Sequence, residues 1–230
     1  MARNVTLSEL QSQARQRADQ ENSNFISDSE LQGYINASIA ELHDMLVSSY
    51  GGDYNLDTHF FVTSNSVDEY DLPSDFYKLR GVDINTSNDV SASNGWHVLK
   101  PFTFEERNDG DLNFSSRSTF LDFSRYRMVK DSIRFSPTPD GGNAVRLWYV
   151  PSAAVLTGSA ETLDGVNGFE EYVIVDAAIK MMQKEESDVS VLLAQKAQLQ
   201  RRIKEMTENR DIGSPDRITD VQYNPYFGSP

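Results

Sequence analysis

The apolar positions along this chain change period twice, from helical spacing to alternation and back to helical spacing. Residues 6–20 place Leu7, Leu10 and Ala14 on one helical face. Thr6 and Glu9 stand at the spacing of a capping box, in which a side-chain oxygen reaches forward and a carboxylate reaches back. Asn22, Ser23 and Asn24 make a polar break, and Ser27 with Glu30 repeats the box. Leu31, Tyr34, Ile35, Ile39, Leu42, Met45 and Leu46 follow at helical spacing, which predicts a helix to about Tyr50 with Gly51 and Gly52 as its stop.

From 58 to 150 the pattern alternates. HFFVTSNSVDEYDLP predicts a strand, a turn at Ser64, Asn65 and Ser66, and a second short strand. The next stretch predicts a brief helical turn around Phe76 and a strand near 79–84. A polar loop over 85–95, a candidate strand WHVLKP and a helical turn over 102–107 come after it. YRMVKDSIRFSP is predicted to pair with AVRLWYVP across TPDGGN, a connection carrying Pro and Gly.

Helical spacing returns after Gly168. Phe169, Tyr172, Val173, Asp176, Ala177, Lys180 and Met181 form a stripe that Ile174, Val175, Ala178 and Ile179 widen. A helix apolar on several sides is buried or lies between subunits. Ser187 and Asp188 mark a break and a new start. Val189, Leu192, Lys196, Leu199, Ile203 and Met206 then recur at steps of three and four, a heptad-like seam with a lysine at its centre. Two readings fit: a helical hairpin within one subunit, or a self-associating surface. On the second, Tyr172, Ile179, Met182, Leu192, Leu199 and Ile203 are the expected subunit contacts.

The last stretch, DIGSPDRITDVQYNPYFGSP, has no period. Gly213, Pro215, Pro225 and Gly228 break any helix or strand, yet Ile212, Ile218, Val221, Tyr223, Tyr226 and Phe227 are large and apolar or aromatic. A segment that cannot bury these residues by folding on itself reads as an arm that docks on a partner, with those six residues as its contacts. The predicted fold class is α+β. The N- and C-terminal helices (1–57 and 151–210) form a bundle, a β-rich region (58–150) is inserted between them, and an extended docking arm (211–230) follows.

The chain has 230 residues, 38% hydrophobic and 24% charged, enough for one sizeable domain with an insertion. Its net charge of −14 argues against broad binding to a nucleic-acid backbone, which needs Lys and Arg to release counterions. It suits a surface that DNA passes without sticking, and it also suits plain solubility. With no cysteine, disulfides, thiolate nucleophiles and Cys-type zinc sites are excluded. No apolar run has the length of a signal peptide core or a membrane span, so the expectation is a soluble protein that is cytoplasmic when made.

Candidate chemistry changes this picture little. His43, His59 and His97 have no second histidine at helical spacing, so no zinc pair is visible. NDGDLN resembles half of a calcium loop without its spacing or closing Glu. Asp140-Gly141-Gly142 lacks the Lys-Ser/Thr of a phosphate loop, and no GxSxG frames a serine. Tyr50, Tyr54, Phe60, Phe61, Tyr126, Trp148 and Tyr149 could stack on bases, but no basic stripe interleaves with them. Arg125, Arg127, Lys130 and Arg134 form one local basic cluster, expected to pair with acidic neighbours. The expectation is a non-enzyme without metal or cofactor.

The order of parts resembles a known family. A helix pair, TLSELQSQARQRADQENSNFISDSELQGYINASIAELHDML, precedes a β-rich middle. LWYVPSAAVLT then leads through an acidic loop into GFEEYVIVDAAIKMMQKEE, a second long helix and the tail. This is similar to the head-to-tail adaptor (connector) proteins of tailed bacteriophages. The resemblance implies a homo-oligomeric ring, about a dozen copies, below the portal of the virion. It implies portal protein and a tail or nozzle protein as partners, DNA passing through without sequence-specific binding, and no membrane. Another ring or tail-completion protein of the virion, or a virion-borne hydrolase, would be the alternatives.

Overall fold

The computed structural model describes residues 4–21, 25–49, 55–106, 125–164 and 168–208. Along the chain these form β1 (Asn4–Thr6), α1 (Leu7–Arg17), α2 (Asp28–Ser49), β2 (Asp57–Val62), β3 (Glu69–Asp71), β4 (Phe76–Asn85), β5 (Trp96–Val98) and β6 (Lys100–Pro101). Then come β7 (Arg125–Val129), β8 (Ser132–Ser136), β9 (Ala144–Pro151), β10 (Thr162–Asp164), α3 (Glu170–Lys184) and α4 (Ser190–Glu208). The molecule is mixed helix and sheet, as an α+β chain requires.

The capping chemistry at the start of α1 is the one its sequence implies. The Glu9 amide donates to Thr6 Oγ1 at 3.2 Å, and the Thr6 amide donates to Glu9 Oε2 at 2.9 Å. At α2 only the forward half forms, Glu30 N–H to Ser27 Oγ at 3.2 Å. The Glu30 carboxylate instead accepts from Tyr34 Oη and Lys184 Nζ, each at 2.7 Å. A tertiary cation outcompetes the local amide because a charge-assisted bond is the stronger of the two.

One apolar cluster joins the two ends of the chain. Leu7, Leu10 and Ala14 of α1, five side chains of α2 from Leu31 to Leu46, most of α3, and Leu192 and Ile203 of α4 are buried in it. Helix α3 touches α1, α2 and α4, which explains why it is apolar on several sides. The first strand has no signal in the sequence: β1 pairs with β10, tying residue 4 to residue 164.

The middle of the chain makes two four-stranded sheets, β2-β9-β4-β5 and β3-β8-β7-β6. They share a second apolar cluster, with Val82, Ile84, Val145 and Leu147 from the first and Ile133 and Phe135 from the second. One expected hairpin is corrected here. β8 pairs with β3 and β7, whereas β9 pairs with β2 and β4, so TPDGGN crosses between sheets instead of turning within one. β2 and β3 are likewise split between the sheets. The reason is burial: the apolar face of β8 meets that of β9 across the core, and pairing them edge to edge would leave both faces open. The crossing needs glycine. Gly142 has φ +83°, and a Cβ on Gly141 would lie 2.7 Å from Asn65 Oδ1. WHVLKP also divides: Leu99 is buried between β5 and β6, which belong to different sheets. A single hydrogen-bonded turn, Phe76 N–H to Pro73 O at 3.0 Å, stands where the brief helical turn was expected and leads straight into β4 at Phe76.

Candidate assembly and docking site

The six residues expected on the docking arm, Ile212, Ile218, Val221, Tyr223, Tyr226 and Phe227, lie outside the described residues, as does the calcium-like NDGDLN. The six expected at a subunit seam are described. Tyr172, Ile179, Leu192 and Ile203 are buried in the chain's own apolar cluster, and Met182 and Leu199 pack against it. The heptad-like spacing therefore serves contacts of α3 and α4 within the chain, and four of these side chains have almost no surface left for a neighbour. On α4 the exposed large apolar side chains are Val191, Leu193 and Met206, which flank the seam.

The centre of the helical layer is a charge network. Asp176 of α3 is buried, with its side chain 3% exposed. Its carboxylate accepts from Lys180 Nζ at 2.6 Å, Lys196 Nζ at 2.6 Å and Ser38 Oγ at 2.6 Å. Glu41 of α2 closes the ring, accepting from Lys196 at 3.1 Å, Lys180 at 3.2 Å and Tyr172 Oη at 3.0 Å. Two carboxylates and two ammonium groups cancel, which a buried cluster needs. Burial alone would raise the Asp176 pKa, but the hydrogen bonds from Lys180, Lys196 and Ser38 outweigh it and hold the carboxyl below its ordinary range. Glu41 is lowered in the same way, burial opposing and Lys196 prevailing. For Lys196 burial would lower the pKa, and its bonds to Asp176 and Glu41 raise it instead. The lysine at the centre of the seam is thus the group that pins α4 to α2 and α3.

A second polar constellation lies on sheet β2-β9-β4-β5. Arg146 Nη2 and Trp148 Nε1 each donate to Asp83 Oδ2 at 2.7 Å. The guanidinium lies 4.5 Å from the Trp96 ring and 4.7 Å from that of Trp148, clamped between two indoles. Neither constellation is legible as a network in sequence. The available signals are Asp176 and Lys180 at (i, i+4) inside an apolar stripe, and Arg146 and Trp148 alternating with Val145 and Leu147.

Several of the remaining candidates are engaged within the chain. His43 is buried, its ring edge-on to Tyr77 at 5.3 Å. It lines an apolar cavity of about 310 Å³ with Leu42, Leu46, Ala153 and Leu163. Of the basic cluster, Arg125 pairs with Glu106 at 3.0 Å, Arg134 with Asp68 at 2.7 Å and Lys130 with Asp131 at 3.6 Å. Arg127 sits over Phe104 instead, 5.6 Å from the ring centre. Phe61 and Tyr149, candidates for base stacking by residue type, face the protein interior. Among the described residues no group of acidic or imidazole side chains could hold a metal ion, and no described helix is long and apolar enough to cross a membrane. Replacing His43, His59 and His97 together with Gln is expected to leave assembly of infectious particles intact; loss of infectivity in fully assembled particles would instead favour a catalytic role.

Helices from both ends of the chain gathered into one cluster, a β-rich middle and an apolar C-terminal segment are the parts that carry the resemblance to phage adaptors. A family model, the SU10 adaptor protein, matches residues 5–219. The chain belongs to that adaptor family. The match takes in every described element from α1 to α4 and nearly all of β1, so the adaptor assignment covers the helical layer and both sheets together. No individual curated protein matches the sequence. As a phage adaptor the chain is a structural component of the virion that associates with other head and tail proteins.

Proposed function

We propose that this adaptor forms a ring of about a dozen copies below the portal, joining the DNA-filled head to the tail around a channel for DNA. The observation that carries the reading is the family match over 5–219, which spans both the helical layer and the β-rich insertion. In this reading the domains are the helical ends 1–57 and 151–210, the insertion 58–150 and the docking arm 211–230. Three features support it. The net charge of −14 would keep the channel wall from adhering to the DNA backbone. Lys196 anchors α4, the helix from which the arm departs, to α2 and α3. The arm itself carries aromatic and aliphatic anchors of the type that dominate interfaces.

The purified chain is expected to sediment as a monomer or small oligomer, and as a closed ring only when portal rings are added. A stable large ring without portal would overturn the templated part of the reading. Pull-down on portal tests the partner: retention of the full chain supports the reading, and retention on a tail or nozzle protein alone would make it a tail-side ring component.

A further inference from the structure

Among the described residues, loop 86–95 folds over one end of the outer face of sheet β2-β9-β4-β5, with Asn85 Nδ2 donating to Asn94 O and Trp96 Nε1 to Ala92 O, and Phe60, Val62 and Val98 stay exposed on the rest of it. Register places Phe60, Arg146, Asp83 and Val98 in one row across that face, and Val62, Ala144, Asn85 and Trp96 in the next. Phe60, Val62 and Val98 are 38%, 41% and 78% exposed. The only charges in these rows are Asp83 and Arg146, which pair at 2.7 Å and cancel. The guanidinium is held between Trp96 and Trp148 on this face, and Trp and Arg are the usual anchors of an interface.

A second face of this kind lies on α4. Its first two turns direct Leu192, Lys196 and Leu199 into the helical layer. Val191, Leu193, Ala194, Ala197 and Gln198 are exposed, with Val191 at 77% and Leu193 at 46%. Within 191–198 the one charged side chain is Lys196, and it is turned inward to Asp176.

These two faces carry no net charge on a chain that carries −14, so two like-charged copies meet there without adding repulsion. They also differ in form: one is a sheet face capped by Trp96, Arg146 and Trp148 with Phe60, Val62 and Val98 exposed, the other a helix shoulder with small alanines beside Val191 and Leu193. A contact between unlike faces leaves one free face of each kind on every pair, so copies keep adding until the ring closes, whereas contact between like faces stops at a dimer. We propose that the outer face of β2-β9-β4-β5 in one copy receives the outward face of the first two turns of α4 in the next. This rests on the ring reading above and names its mating surfaces.

The chain has no cysteine, which makes the test clean. Full-length Val98→Cys, Val191→Cys and the double variant are treated with a short bismaleimide, with and without portal, and sedimented in parallel. The double variant is expected to give a ladder of covalent oligomers. Each single variant stays monomeric, and a mixture of the two singles gives a dimer and nothing larger. Val62→Cys with Leu193→Cys is expected to repeat the pattern. A covalent dimer from Val98→Cys alone would overturn the proposal, because like faces would then be meeting. So would a double variant that sediments as a ring without a ladder, an outcome that leaves the ring reading standing. Absence of both ring and ladder on portal would remove the ring reading as well.

Discussion

Replacing Asp176 with alanine is expected to destabilise the adaptor by about 3 kcal/mol, the lower end of what breaking a buried ion pair costs. The change removes the acceptor shared by Lys180, Lys196 and Ser38. Those lysines keep Glu41, whose side chain is 45% exposed, so partial compensation places the effect at the low end. Glu41→Gln, at the wet edge of the same network, is expected to cost about 1 kcal/mol or less. The urea midpoint of each variant measures the difference; equal midpoints for the Asp176 variant and the parent would mean the network contributes nothing to stability. The sign with pH follows from the same groups. Asp176 and Glu41 have lowered folded pKa values, so their stabilisation is complete above the ordinary carboxylate range and is lost as pH falls through the folded values. Lys196 is raised, so its share is complete below the ordinary lysine value and is lost only as pH rises through its folded value. A stability plateau around neutrality, falling on the acid side, is the expected profile.

Deleting residues 211–230 is expected to leave a folded, soluble adaptor with an unchanged melting temperature and to abolish or sharply weaken attachment to the portal. The segment is broken by glycine and proline and cannot bury enough surface alone to offset its ordering entropy. Docked in a groove of a partner ring, each large side chain would contribute about 1.5–3 kcal/mol on full burial. Tyr226→Ala or Phe227→Ala alone is then expected to weaken portal binding by at least about tenfold, since each 1.4 kcal/mol is a factor of about ten. Heads assembled with the truncated chain would leak DNA or fail to gain tails. Hydrogen exchange separates docking from self-packing: the segment is expected to exchange freely in the isolated chain and slowly in the particle. Full protection in the isolated monomer would falsify the docking arm.

The parts of this protein that depend on neighbours along the chain are readable from the order of its amino acids alone. The capping box of Thr6 and Glu9 is a local contact, and it forms as the spacing implies. The apolar stripes of α2 and α3 also follow their spacing, because burial of one helical face needs only the 3.6-residue period. The aperiodic character of 211–230, with its large apolar and aromatic residues, is equally a property of composition. What the sequence does not say is which surface each stripe meets. The heptad-like steps of Leu192, Leu199 and Ile203 fit an intersubunit seam as well as an intrachain one, and only packing against α2 and α3 assigns them to the chain's own cluster. The sheets obey the same limit. Period two says which side chains share a face, but it does not say which strand lies alongside. Alternation with a Pro-Gly turn joins β8 and β9 as a hairpin, whereas burial places them in facing sheets. The charge network shows why most sharply. Ser38, Glu41, Asp176, Lys180 and Lys196 come from three helices at opposite ends of the chain. Their mutual neutralisation is an energy that exists only once tertiary structure has removed water from between them.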